Sequence, residues 1–177
     1  MTFDKTVQQY LQEVYKTDKS FIYKSHGTTY YYKDLTLKTL HRTEKDPNTG
    51  LTLPAVEYDT GSKLWRVNGE EHRDEKDPET GLSLPAYESA DGVKLWYKHG
   101  KLHCEDGPAV RMPKEYDDWV VNGHTVKNGE WYLNGNKLSP KEIEDQKKKL
   151  TIKADIKSHK NNRIDPGMLE DYLRKLN

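Results

Sequence analysis

The chain carries a single cysteine, Cys104, in 177 residues, so no disulfide can close within it. It has only two Phe, and 33% of its residues are hydrophobic against 33% charged. That supply is thin for the thick core of a large α/β enzyme. It suits a flat sheet, in which twelve Tyr and four Trp add amphipathic burial. No stretch approaches the roughly 20 apolar residues of a membrane span, and the N-terminus pairs no basic segment with an apolar run of signal-peptide length. Neither sign of charge is in excess, with Lys plus Arg and Asp plus Glu at 29 each, so the basic surplus of a phosphate-backbone binder is missing. A Gly-rich phosphate loop, a nucleophile elbow and a Cys-x-x-Cys pair are also lacking. These absences predict one domain with terminal appendages, cytoplasmic and in a reducing compartment, that uses no cofactor.

The charge is uneven along the chain. Residues 141–163 hold eight Lys or Arg against four acidic residues, whereas residues 1–140 hold 19 against 22. A late basic stretch reads either as a solvated helix and linker or as a patch for a polyanion.

What the chain does contain is a repeat. "LHRTEKDPNTGLTLPAVEYDTGSKLWRVNG" (Leu40 to Gly69) matches "EHRDEKDPETGLSLPAYESADGVKLWYKHG" (Glu71 to Gly100) with residues equivalent at a fixed offset of 31. His41 falls on His72, Asp46-Pro47 on Asp77-Pro78, Gly50 on Gly81, Pro54-Ala55 on Pro85-Ala86, and Trp65 on Trp96. His103 continues the series and opens a third copy, "LHCEDGPAV". From His to Pro is 13 residues in the first two copies and five in the third, so copies one and two carry an eight-residue insertion. Shortened copies follow at "DDWVVNG" (Asp117 to Gly123) and "GEWYLNG" (Gly129 to Gly135), and "TTYYYKD" (Thr28 to Asp34) is a degenerate start.

Each unit reads as a hairpin. "KLWYK" and its equivalents are short alternating aromatic strands, and Asn-Gly or His-Gly supplies the positive φ of a tight turn. The "DPxTG" pieces fit a turn with Pro at a fixed-φ position and Gly in the left-handed region. Units too short to bury a face alone must stack, three or more together. The predicted fold is therefore mainly β: an antiparallel meander of stacked β-hairpin repeats over residues 21–138, flanked by helices. On the N-terminal side, residues 1–20 place Val7, Tyr10, Leu11 and Val14 at helical spacing. On the other side, residues 139–177 read as a helical cap with a basic linker. "SPKE" (Ser139 to Glu142) is a capping box opening a helix towards Lys149. Asp165-Pro166 starts a further helix with Met168, Leu169, Tyr172, Leu173 and Leu176 on one stripe. That last helix either caps the sheet or binds a partner.

The pattern W-Y-x-N-G-x-x-H-x-x-D-G-P-A, present as "WYKHGKLHCEDGPA" (Trp96 to Ala109) and stretched in the two earlier copies, resembles the MORN-like variant repeats of large DNA viruses and tailed phages. The resemblance covers roughly residues 28–138. It departs at Lys98-His99 and at the "KDPxTGLxLP" insertions, and it excludes the terminal helices. It implies a meander of hairpins, a phage or viral origin with the host cytoplasm as the site of action, and a binding scaffold without shared catalytic residues.

The reactive side chains of the third copy do not read as an active site. His103 and Cys104 are neighbours in a strand and point to opposite faces, and the Cys position is Arg42 and Arg73 in the other copies. Nor do His41, His72 and His103 converge on one metal, because stacking at two strands per repeat separates them by about 10 Å. A hydrogen bond from each imidazole to a turn carbonyl, or to the following acidic residue of its own repeat, is the expected role. No catalytic residue and no metal ligand is assigned. A metal-dependent hydrolase built from the acidic and His residues of "HRDEKD" and "HCED" is the third reading.

Two surfaces are candidates for binding. The insertions, Lys45 to Ala55 and Lys76 to Ala86, lengthen loops on one face, and such a face often binds. The residues assigned to protein binding are Leu51, Leu53, Leu82 and Leu84, with the turn carboxylates Asp46 and Asp77. The alternative is that the two loops pair and pack their leucines on each other. The second candidate is the aromatic row Tyr31, Trp65, Trp96, Trp119 and Trp131, which either stacks bases or forms the core. A nucleic-acid interface would combine Trp65 and Trp96 with Lys147, Lys148, Lys149, Lys153 and Arg163. The leading expectation is a non-catalytic protein that binds a host protein and inhibits a defence or regulatory factor; nucleic-acid binding is the alternative.

Overall fold

The structure, a computed structural model, describes residues 21–34, 38–121, 123–159 and residue 174. The predicted helices at residues 1–20 and after Asp165, together with Arg163, lie outside the described residues. The chain divides into two compact units, Met1–Asn136 and Lys137–Asn177.

The first unit is mainly antiparallel β. A seven-stranded sheet runs in the order β1 (Phe21–Ser25), β2 (Thr28–Tyr32), β3 (Val56–Glu57), β4 (Lys63–Leu64), β7 (Tyr87–Glu88), β8 (Lys94–Leu95) and β11 (Val110–Arg111). Between these lie the small hairpins β5–β6 (Arg66–Val67 and Glu70–Glu71) and β9–β10 (Tyr97–Lys98 and Lys101–Leu102). Beyond them come β12–β13 (Asp118–Val121 and His124–Lys127) and β14–β15 (Tyr132–Leu133 and Asn136–Lys137). Each full repeat thus gives two strands to the sheet and then one separate hairpin.

Here the structure corrects the sequence reading. "KLWYK" is not one strand: Lys94–Leu95 belongs to the sheet and Tyr97–Lys98 to the hairpin, with Trp96 at the break, and Trp65 stands at the same place one repeat earlier. The backbone bonds of the Trp itself hold this corner. Trp65 N–H donates to Ala86 O at 2.8 Å across the sheet, while Trp65 O accepts from His72 N–H at 3.1 Å. Trp96 repeats both bonds with Ala109 and His103.

The register sorts the side chains of the sheet. Val56, Leu64, Tyr87, Leu95 and Val110 oppose one another in turn on one face. The other face carries Glu57, Lys63, Glu88, Lys94 and Arg111 in the same pairings. Opposite charges face each other from Glu57 to Lys94 and favour this register, whereas Lys94 and Arg111 at the last pair are alike in sign. The core gathers Trp65, Leu95, Trp96, Tyr97, Val110 and Met112 around Ala86 and Ala109, with Val126 of β13 completing it. The predicted tight turns are present: Asn68-Gly69 and His99-Gly100 have both central residues at positive φ (52° and 86°, 49° and 70°), the primed geometry that matches strand twist.

In the second unit one helix, α1 (Pro140–His159), is described. Its capping box is formed: Ser139 N–H donates to Glu142 Oε2 at 2.8 Å, and Glu142 N–H donates back to Ser139 Oγ at 3.4 Å. The helix runs ten residues past Lys149, the point expected to open the linker. Nothing in residues 150–159 breaks it, and Thr151 bonds back to Lys147 O within it.

Candidate functional site: the inserted loops and the seams between repeats

Each inserted loop is a closed, self-supporting turn. Asp46 Oδ1 accepts from Asn48 N–H at 2.8 Å and Thr49 N–H at 3.0 Å, Gly50 N–H reaches Asp46 O at 2.8 Å, and Lys45 bridges Thr52. Asp77 does the same with Glu79 and Thr80, and Lys76 bridges Ser83. These backbone donors hold both aspartate carboxyls below their ordinary range. Asp46 and Asp77 therefore shape the loops from within. Each loop closes on itself along the backbone, Lys45 with Thr52 and Lys76 with Ser83. Leu82 is 46% exposed, while Leu51, Leu53 and Leu84 are half-buried.

The loops are clamped by the following repeat. Glu75 accepts from Thr52 N–H at 2.8 Å and from Thr52 Oγ1 at 2.7 Å. Asp106 accepts from Ser83 N–H and from Ser83 Oγ, both at 2.9 Å. On the other side, the Trp65 indole N–H donates to Thr52 O at 2.7 Å and that of Trp96 to Ser83 O at 2.8 Å. The acidic residue three positions after His72 and after His103 thus fixes the previous repeat's loop. Sequence reasoning missed this pairing, although Thr52 with Glu75 and Ser83 with Asp106 share one 23-residue spacing.

The histidines close their own repeats, in the opposite donor sense to the expected one. Nδ1 of His41, His72 and His103 accepts from the backbone N–H of Asn68, His99 and Asn134 at 3.0, 3.1 and 3.1 Å. A turn is the partner, but through its amide and not its carbonyl. The bond to a following acid is present at His72, whose Nε2 lies 3.0 Å from Asp74. Accepting at Nδ1 requires that nitrogen to be unprotonated. For His41, burial and then nearby Lys33 lower the imidazole pKa.

An arginine covers the aromatic residue of the preceding copy. The guanidinium carbon of Arg42 lies 3.5 Å from the Tyr31 ring centre, and that of Arg73 lies 4.0 Å from Trp65. In the third copy Cys104 takes the arginine's place, and Arg111, from the sheet position of Glu57 and Glu88, covers Trp96 at 4.5 Å. Cys104 is 1% exposed; burial pushes its thiol up to about 12, and its Sγ lies 3.3 Å from Asp106. An unreactive core thiol follows.

At 6% and 4% exposure, Trp65 and Trp96 are core, and their rings offer no open face for stacked bases. This corrects their assignment to a nucleic-acid interface: a chain with few aliphatic residues spends its indoles on burial. Lys147, Lys148, Lys149 and Lys153 are exposed on α1. At about 100° per residue, Lys147, Lys148 and Lys149 point in three directions, and only Lys149 and Lys153 share a side.

The seams between repeats hold two clefts in equivalent places. The first, about 190 Å³, is lined by residues including Arg42, Thr52, Trp65, Arg66, His72 and Arg73. The second, about 90 Å³, is lined by the counterparts Arg73, Ser83, Trp96, Tyr97 and His103. Among the described residues, no group of three or more His, Cys, Asp or Glu is arranged to hold a metal ion. Comparison with family models, with curated proteins and with solved structures finds no match to this chain.

Proposed function

We propose that the protein is a non-catalytic binding scaffold of MORN-like repeats, encoded by a phage or virus, that holds a host protein and inhibits a defence or regulatory factor. The observation that carries the binding half is the paired inserted loops. Each is fixed by a carboxylate from the next repeat and by an indole N–H of its own repeat, and the second presents Leu82 to solvent. A loop held in one conformation loses little entropy on binding. A leucine covered by a partner contributes on the order of 1.5–3 kcal/mol. The repeat pattern supports the phage or viral origin, and the inhibitory role follows from that origin.

Affinity capture from host lysate, read by mass spectrometry, tests the reading. Wild type is expected to retain one host protein that Leu82→Asp loses while its thermal midpoint stays unchanged. Equal capture by both would sink the loop assignment. Nucleic-acid binding rests on Lys149 and Lys153 sharing a side of α1; it predicts retention of DNA or RNA at low salt that falls steeply as salt rises.

A further inference from the structure

We propose that the protein dimerises through β1, whose open edge pairs with β1 of a second copy in an antiparallel two-fold arrangement centred on Tyr23. Among the described residues β1 has a neighbour on one side only, β2. The opposite edge of the sheet, β11, is closed by the chain itself. Val110 N–H donates to Glu130 O at 3.3 Å, and Gly129 N–H donates to Val110 O at 2.9 Å. The Asn128 side chain then pairs with the Met112 backbone as a further strand residue would, accepting from its N–H at 2.9 Å and donating to its carbonyl at 3.0 Å. At β1 the one guard against edge pairing is Lys24: the strand runs five residues without a proline or a bulge. Ile22 and Tyr23, at 61% and 42% exposure, are two of the four exposed large hydrophobic residues among those described.

The backbone fixes which groups are available. Tyr31, across from Ile22, turns its N–H to Ala55 and its carbonyl to His41, away from β1. Ile22 therefore faces β2 at a non-hydrogen-bonded pair and, by the alternation of an antiparallel ladder, so does Lys24. The N–H and C=O of both point outward, and no described residue bonds to them. These two positions flank Tyr23. A two-fold axis through Tyr23 sets Ile22 of each copy against Lys24 of the other, and each such pair exchanges both backbone bonds.

The side chains favour the same register. Tyr23 lies 6.1 Å from Tyr30, and Tyr30 lies 6.4 Å from Tyr32, ring centre to ring centre. The axis brings Tyr23 of the second copy beside its counterpart, so the aromatic row continues across the junction. On the other face Lys24, the only charge of β1, meets Ile22 of the second copy and covers it with its aliphatic stem while the ammonium stays in water. A one-residue slip would set outward groups against inward ones and lose every bond, and a slip that sets Lys24 against itself brings like charges together. Both faces match β1 with itself, and this commits the edge to a second copy.

The inference is independent of what the loops bind. Sedimentation equilibrium of the full chain from about 1 μM to about 1 mM is expected to show a reversible rise from monomer to dimer mass. Hydrogen exchange at the Ile22 and Lys24 amides should slow over the same range. Ile22→Pro removes an outward donor and leaves the bonds to β2, so it should weaken the dimer at least about tenfold with the fold intact. Cysteine pairing reads the register even if that variant unfolds. With glutathione disulfide as oxidant, Tyr23→Cys places a thiol on the axis opposite its counterpart and should cross-link at least about tenfold faster than Ile22→Cys. Cys104 is buried and common to both. The proposal is overturned by a monomer at every concentration, by undiminished dimerisation of folded Ile22→Pro, or by equal cross-linking of the two cysteine variants. Protection of the Ile22 and Lys24 amides that does not change with concentration would place another segment of the chain on the edge, and overturns it as well.

Discussion

The second and third copies build the same seam from different residues. Copy two puts Arg73 over Trp65 and leaves Glu88 at the sheet position, whereas copy three has Cys104 at the first place and Arg111 at the second. The guanidinium keeps its station over the aromatic ring, but it arrives from the sheet and not from the histidine segment. The nine residues from Lys45 to Leu53, and their equivalents in copy two, shrink to Gly107 in copy three. A Cβ at Gly107 would come within 2.4 Å of an Arg111 nitrogen, so the glycine clears the new arginine's path. A repeat conserves the arrangement, and the residue at any one position follows from it.

Cys104→Arg should break this equivalence most severely. It would force a second guanidinium beside Arg111 into the place of a buried thiol, where overpacking adds to a like-charge repulsion that Asp106, already bonded to Ser83, offsets only in part, a loss on the order of 3–5 kcal/mol. Thermal denaturation of the single variant and of Cys104→Arg with Arg111→Glu measures the coupling. The double variant restores the pairing of copy two and should recover more than half the loss; no recovery would show the two positions to be independent.

Removing a clamp is expected to cost less. Glu75→Ala leaves the Thr52 N–H, the Thr52 hydroxyl and Arg73 Nε short of an acceptor, a loss of about 1–3 kcal/mol by urea denaturation. Asp106→Ala should fall in the same range, since Asp106 serves Ser83 in the same way. A value near zero for either would show that its loop is held by the indole bond alone.

Acid should loosen the first copy. The folded state lowers the pKa of His41, so the unfolded chain binds the extra proton first. The stabilisation is complete above the unfolded value of about 6.5, declines as pH falls through it, and levels off below the folded pKa. His41→Gln keeps an acceptor without titrating, and its thermal midpoint should vary less than that of wild type between pH 7 and 5. The smallest effect is that of Leu82→Asp, an exposed site, expected to change stability by less than about 0.5 kcal/mol.

What the sequence made legible was local. The Asn68-Gly69 and His99-Gly100 turns and the Ser139–Glu142 capping box each depend on residues a few positions apart, and the repeat shows by matching one such local pattern with the next. The break at Trp65 and Trp96 was hidden, because "KLWRV" alternates like an uninterrupted strand. Only the cross-sheet bonds to Ala86 and Ala109 show where the chain leaves. The candidate site was half visible. The insertions stood out by length, but the clamp joins Thr52 to Glu75 across 23 residues and carries no local signature. The extent of α1 was underestimated because lysine-rich sequence reads as linker when nothing local forbids a helix.

The clamp also explains how the array ends. A repeat with a loop needs a successor that offers His-x-x-acid, as copy one finds in His72 to Glu75 and copy two in His103 to Asp106. The next histidine, His124, is followed three residues later by Lys127 and could not hold a further loop in this way. Copy three has no loop and asks for none. The clamp therefore acts as a rule of succession: a new looped copy fits only ahead of another clamp-bearing copy, and the loopless copy is the point after which only shortened hairpins follow.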